Sequence, residues 1–192
     1  MPIVQRGNIP WISPASGSGA FADQSNGLVF ATFTDYAVES ALMTRHAVET
    51  LGNQNIAIFY QNDGYGGEGL AGLEGEIERL QDAGVEVEFE EINKVSYERG
   101  ETNMAVQALR FKAGGADAVI MYSTPTAAAS LLNEFQKIEY APRILASTTL
   151  LDPSLLANPG MQGALLSTFL RCLLYTSPSP RDATLSRMPS SA

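Results

Sequence analysis

Residues Gly64-Tyr65-Gly66-Gly67-Glu68-Gly69 match the pattern G-x-G-x-x-G, and they sit between an apolar run, IAIFY, and an amphipathic run, LAGLEGEIERL. In that pattern the glycines let a pyrophosphate approach the unpaired amides at a helix N-terminus. An acidic residue about 20 positions on then binds the ribose. Glu88, Glu90 and Glu91 could supply that acid. Against this reading, Gln61, Asn62 and Asp63 separate the strand from the first glycine. Tyr65 also puts a ring where a phosphate needs room. An NAD-dependent oxidoreductase using this loop therefore stands as an alternative function.

Little else in the chain could do covalent or metal chemistry. The single histidine, His46, lies in a helical stretch, far along the chain from Ser16 and Ser18, and the single cysteine is Cys172. No nucleophile-histidine-acid set, disulfide or metal-ligand spacing can be assembled from these. The expectation is a protein that is not an enzyme and needs no metal or cofactor. A net charge of −9 disfavours nucleic acid and anionic membrane surfaces as partners, since both would repel it. No apolar run reaches the roughly 18 residues of a transmembrane helix.

The elements that must position any site alternate regularly. Ile9–Ser13 and Leu28–Thr32 read as short strands around a Ser/Gly loop. A helix is predicted over Asp35–Leu51, with Thr34 or Asp35 as its cap, Gly52 as its end, and Val38, Ala41, Leu42, Val48 and Leu51 on one face. Next come strand Asn55–Tyr60, helix Gly67–Ala83, strand Val85–Ile92 and helix Thr102–Ala113. Strand Ala118–Tyr122, helix Pro125–Ile138 and strand Arg143–Ser147 complete the order. Strands as continuously apolar as IAIFY and DAVIMY are covered on both faces, so the fold class is α/β with a doubly wound parallel sheet.

Composition changes near Phe169. Residues 171–192 are rich in Ser and Pro and lack periodicity; Arg171, Arg181 and Arg187 against Asp182 give this stretch +2, leaving −11 for the body. It is expected to be disordered. It also resembles translated adaptor or vector read-through, and is expected to be foreign to the natural chain.

The segments IPWISPASGS, LVFATFTDYAVES, YQNDGYGGEGLAGLEGEIERL, SYERGETNMAVQAL and GGADAVIMYSTPTAAASLL occur in this order. Together they resemble type I periplasmic binding proteins, specifically the branched-chain amino acid (Leu/Ile/Val) type of ABC-transporter substrate-binding protein. The resemblance runs from about Ile9 to Phe169. It implies two α/β lobes that close on a small solute: residues 1–33 ending the first lobe and crossing the hinge, and 34–170 building an incomplete second lobe. The chain would then be an internal fragment, and the lack of a signal peptide in Met1–Asn8 would say nothing of location.

The resemblance also implies the site. Ala15, Ser16, Gly17 and Ser18 would present amides and hydroxyls to a ligand carboxylate, although the family's hydroxyl position falls nearest Gly17. Tyr65 would line the second-lobe wall, with Tyr36 at the hinge crossing beside Asp35, a residue equally suited to capping. Ser123, Thr124 and Thr148 would face the same cleft from strand ends. Where amino-acid binders carry a carboxylate for the ligand ammonium, this chain has Thr148, which predicts a ligand other than a simple α-amino acid. The implied function is the solute-binding component of an ABC importer in the periplasm, binding an amino acid, amide or carboxylate and partnered by a membrane permease. A ligand-binding sensor domain is a further alternative.

Overall fold

The computed structural model describes residues 2–22 and 27–168. The N-terminal part comprises α1 (Pro2–Gly7), β1 (Trp11–Ile12), α2 (Gly19–Ala22) and β2 (Val29–Phe30). β1 and β2 pair in parallel as a sheet of their own, and the Trp11 ring meets Phe21 edge-on. Both strands are shorter than predicted, and α1 was not foreseen. The stretch 171–192 and Cys172 lie outside the described residues.

From residue 36 onward the predicted alternation holds. The elements are α3 (Tyr36–Arg45), β3 (Ile56–Gln61), α4 (Gly64–Asp82), β4 (Lys94–Tyr97), α5 (Ala105–Gly114), β5 (Ala118–Tyr122), α6 (Pro125–Lys137), β6 (Arg143–Ala146), α7 (Pro153–Leu156) and β7 (Leu165–Leu166). The sheet order is β4-β3-β5-β6-β7, parallel throughout. Side chains alternate across it as the two-residue period of a strand demands. Ile56 and Ile58 of β3 and Ile120 and Tyr122 of β5 pack under α3 and α4. Ala57, Phe59, Val119 and Met121 pack under α5 and α6. With helices on both faces, this is a doubly wound α/β sheet.

Three predicted elements shift, each for a physical reason. Val85–Ile92 alternates like a strand but runs past the N-terminal end of β3. It makes only the bridge between Asn55 and Glu88, and the ladder starts later, with Lys94 opposite Ile58. Helix α4 begins at Gly64, not Gly67, because the Asp63 carboxylate caps it, accepting from the amides of Tyr65 (3.0 Å) and Gly66 (3.2 Å).

Helix α3 is capped by Asp35 as predicted, passes into a π-helical turn at His46–Thr50, and ends before Gly52 at φ 72°. Its buried stripe, however, is rotated from the predicted one. Glu39, Ser40, Met43, Thr44, Ala47 and Val48 are buried, while Val38 and Leu42 are more than half exposed.

Glu76 ties α3 to α4. Its carboxylate takes two hydrogen bonds from Arg45 (2.7 and 3.0 Å) and two from Arg79 (2.9 and 2.6 Å). Burial would raise its pKa, but the two guanidinium groups outweigh that and hold it at about 2, against an ordinary 4.5. A depressed carboxylate pKa adds stability that is fully present above the unfolded value and fades as pH falls through the folded one. Glu76→Gln should lower stability by about 1–3 kcal/mol at neutral pH. In urea titrations the gap between the two proteins should close between about pH 4.5 and pH 2. A gap that stays constant over that range would contradict the assignment.

Candidate ligand site

At the C-terminal end of the sheet, Glu39 is a carboxylate only 6% exposed. Its Oε1 accepts from the Thr148 amide (2.9 Å), the Thr148 hydroxyl (2.8 Å) and the Ser167 hydroxyl. Its Oε2 shares the single proton of the Tyr122 hydroxyl (2.8 Å) with the Tyr36 carbonyl (2.9 Å). One side chain on α3 thus joins the ends of β5, β6 and β7. Burial, followed by the nearby Glu39 charge, pushes the Tyr122 phenol well above its ordinary pKa, so it stays a donor.

Three tyrosines stack beside this carboxylate. The Tyr36 ring meets Tyr65 edge-on at 4.9 Å and Tyr122 at 6.4 Å, and Tyr65 lies 5.3 Å from Tyr122. The Tyr65 hydroxyl is hydrogen-bonded with Ser147 (2.7 Å) and Thr149 (2.5 Å). Burial raises its pKa as well.

The motif glycines make this stack possible. A Cβ on Gly69 would lie 2.5 Å from the Tyr122 ring, one on Gly66 2.0 Å from the Gln61 carbonyl, and one on Gly72 2.1 Å from the Ala37 carbonyl of α3. These positions form one face of α4, so the spacing serves packing. The first-turn amides that a phosphate would need are occupied by Asp63, an anion.

The N-terminal loop meets this region over a cavity of about 150 Å³, lined by Ala15, Phe33, Thr34, Tyr36, Glu39, Thr148 and Thr149. Thr34, Glu39 and Thr148 also line an adjoining cavity of about 310 Å³ with Leu42, Met43, His46, Leu145 and Leu165 to Thr168. Of the residues singled out from sequence, Ala15, Tyr36 and Thr148 therefore share one cavity.

The others do not line it. Gly17 accepts the Tyr36 amide through its carbonyl (2.8 Å), and a Cβ there would lie 2.2 Å from the Thr34 carbonyl. Ser16 receives the Ser18 amide (3.2 Å) and sits 3.5 Å from the Tyr36 hydroxyl. Ser18 donates its hydroxyl to Glu68 (2.7 Å), which also takes the Gly19 amide (3.1 Å). Tyr65 packs against the Tyr36 and Tyr122 rings and bonds with Ser147 and Thr149. Ser123 is fully buried, and Thr124 is engaged with Tyr97 on the β4 side.

Sequence reasoning missed Glu39, whose only signal was a charged residue within a helical run of small and apolar ones. Finding it removes the premise that no carboxylate stands at Thr148. Among the described residues no group of three or more His, Cys, Asp or Glu is placed to hold a metal.

Tyr122→Phe tests the carboxylate's surroundings. It removes the one donor that the Glu39 carboxylate and the Tyr36 carbonyl share, so stability should fall by about 1–3 kcal/mol, seen as a lower melting temperature. An unchanged melt would show that the phenol is not needed there.

The periplasmic binding protein family matches residues 1–184. No curated protein matches the chain. Among solved structures, a possible leucine/isoleucine/valine-binding protein from Rhodopirellula baltica is similar over 100% of this chain and 52% of its own, at 22% identity and TM-score 0.77. A leucine-binding protein from Thermotoga maritima covers 88% of this chain and 47% of its own, at 20% identity and TM-score 0.73. A solute-binding protein of an ABC transporter from R. palustris, solved with 4-hydroxybenzoate, covers 80% and 42%, at 15% identity and TM-score 0.64. The chain thus spans about half the length of these structures or less. Such likenesses speak to the fold alone, and it is the family match over nearly the whole length that decides: the chain belongs to the periplasmic binding proteins.

Proposed function

We propose that this chain is part of the solute-binding component of an ABC importer, acting outside the cytoplasm. In this reading residues 1–33 end one lobe, and 34–170 form most of a second. The carrying observation is the cavity where Ala15 and Phe33 meet Thr34, Tyr36, Thr148 and Thr149. It lies at the carboxyl ends of parallel strands, where open α/β sheets bind ligands. The ligand is a small polar solute: an amino acid, amide or carboxylate. Tyr36 offers a ring face and Thr149 a hydroxyl, and no residue here needs to react with the solute. Closure of two lobes around it would create the surface that a membrane permease recognises.

Family membership supports this reading, as do structural relatives described as binding leucine or 4-hydroxybenzoate. The anionic cap at the glycine-rich helix speaks against a dinucleotide. The complete gene product, titrated calorimetrically with amino acids, amides and small carboxylates, should bind at least one of them. Tyr36→Ala should weaken that binding about tenfold or more, given the contact area that an aromatic ring supplies. Binding of NADH with no response to any solute would replace this reading with the oxidoreductase.

A further inference from the structure

The N-terminal part is tied to the sheet near the chain crossing, where the Gly17 carbonyl takes the Tyr36 amide at 2.8 Å and the Ser16 hydroxyl lies 3.5 Å from the Tyr36 hydroxyl. A further contact reaches across 50 residues of sequence. Glu68, in the second turn of α4, accepts the Ser18 hydroxyl on Oε1 at 2.7 Å and the Gly19 amide on Oε2 at 3.1 Å. Both carboxylate oxygens are engaged by adjacent residues of the facing part, and both bonds are charge-assisted.

The loop is shaped for this contact. A Cβ on Gly19 would lie 2.9 Å from Oδ2 of Asp35, whose other oxygen is held in place by capping α3. A side chain at this position would therefore hold the amide away from Glu68. Helix α2 carries the contact onward: Phe21 meets Trp11 of β1 edge-on at 5.2 Å, and β1 pairs with β2. A pull on Ser18 and Gly19 thus acts on α2, β1 and β2 together. Neither these two residues nor Glu68 line the cavity of Ala15, Tyr36 and Thr149, so the contact is separate from the walls of the proposed solute site.

We propose that Glu68 is a latch between the two lobes, holding Ser18 and Gly19 so that the closed arrangement is populated before any solute binds. A solute that binds the closed arrangement best gains apparent affinity in proportion to how much of that arrangement already exists. Glu68 thereby tunes affinity without touching the solute. The inference rests on the two-lobe reading above and adds to it a residue that acts on closure alone.

The test needs no solute. Spin labels on Ile3→Cys of α1 and Val106→Cys of α5, both exposed positions, report the separation of the two parts in the complete gene product freed of other cysteines. Without added solute, the distance distribution should contain a short population matching the separation in this structure. Glu68→Gln keeps the shape and loses the charge, and it should lower the short-to-long ratio about threefold or more. Ser18→Ala, in the facing lobe, should lower it too. The double variant should add little to the larger single effect, because both changes break one contact. The inference is overturned if the wild type lacks the short population, if a folded Glu68→Gln protein keeps the wild-type distribution, or if the two effects are fully additive. Should Glu68→Gln fail to fold, an unchanged distribution in Ser18→Ala overturns it equally. A latch-dependent distribution in a protein that answers no solute would remove the solute-binding reading and keep the latch. Solute binding with a distribution indifferent to Glu68 would do the reverse.

Discussion

The ends of the strands are held together by one buried negative charge. Glu39 reaches from α3 to a phenol on β5, the backbone and hydroxyl of Thr148 after β6, and the Ser167 hydroxyl after β7. Without it, the Thr148 amide would lose its acceptor and the Thr148 and Ser167 hydroxyls would keep only longer contacts, at a desolvation cost. With it, three strand ends and a helix share one acceptor. That arrangement also accounts for the composition of α3. Of the polar residues this helix buries, Glu39 finds its partners on the sheet and its loops, and Thr44 donates to the Ser40 carbonyl at 2.9 Å, while the Ser40 hydroxyl has no partner among the described residues. Its apolar Val38 and Leu42 are left more than half exposed.

Close approach of α4 to the sheet is the second constraint. Gly66, Gly69 and Gly72 recur every three residues and so lie on one side of the helix. Through that side pass the Gln61 carbonyl, the Tyr122 ring and the backbone of α3. Any larger residue would push α4 outward and separate Tyr65 from Tyr122. A pattern that reads as a phosphate cradle is therefore a packing pattern, with Asp63 filling the anion position at the helix start. Pattern alone could not distinguish the two, because both uses demand glycine where backbone approaches backbone.

What was legible in the sequence follows from how local each feature is. IAIFY and AVIMY read as central strands because burial on both faces leaves an unbroken apolar run. Asp35 and Gly52 marked the limits of the first long helix because capping is a property of a few adjacent residues. The Val85–Ile92 segment misled because alternation reports a half-buried extended chain, not the presence of a partner strand. The face of α3 misled for the opposite reason. A buried carboxylate beside two buried hydroxyls looks like a solvated face until the carboxylate's partners, Tyr122 and Thr148, more than 80 residues away, are brought alongside.

The same logic explains why the site residues divided as they did. Hydroxyls suggested as ligand contacts are the groups a crowded polar junction can least leave unpaired, and most were taken up by the scaffold. Ser18 and the Gly19 amide close on Glu68 of α4, Thr148 closes on Glu39, and Tyr65 closes on Ser147 and Thr149. Each of these bonds joins segments distant in sequence, and together they fix the shape of the cavity. The cavity itself is lined by Ala15, Phe33, Thr34, Tyr36, Glu39, Thr148 and Thr149. In so small a space a single charge outweighs a rearrangement of neutral hydroxyls, since pairing or opposing a buried carboxylate is worth more than gaining or losing one ordinary hydrogen bond.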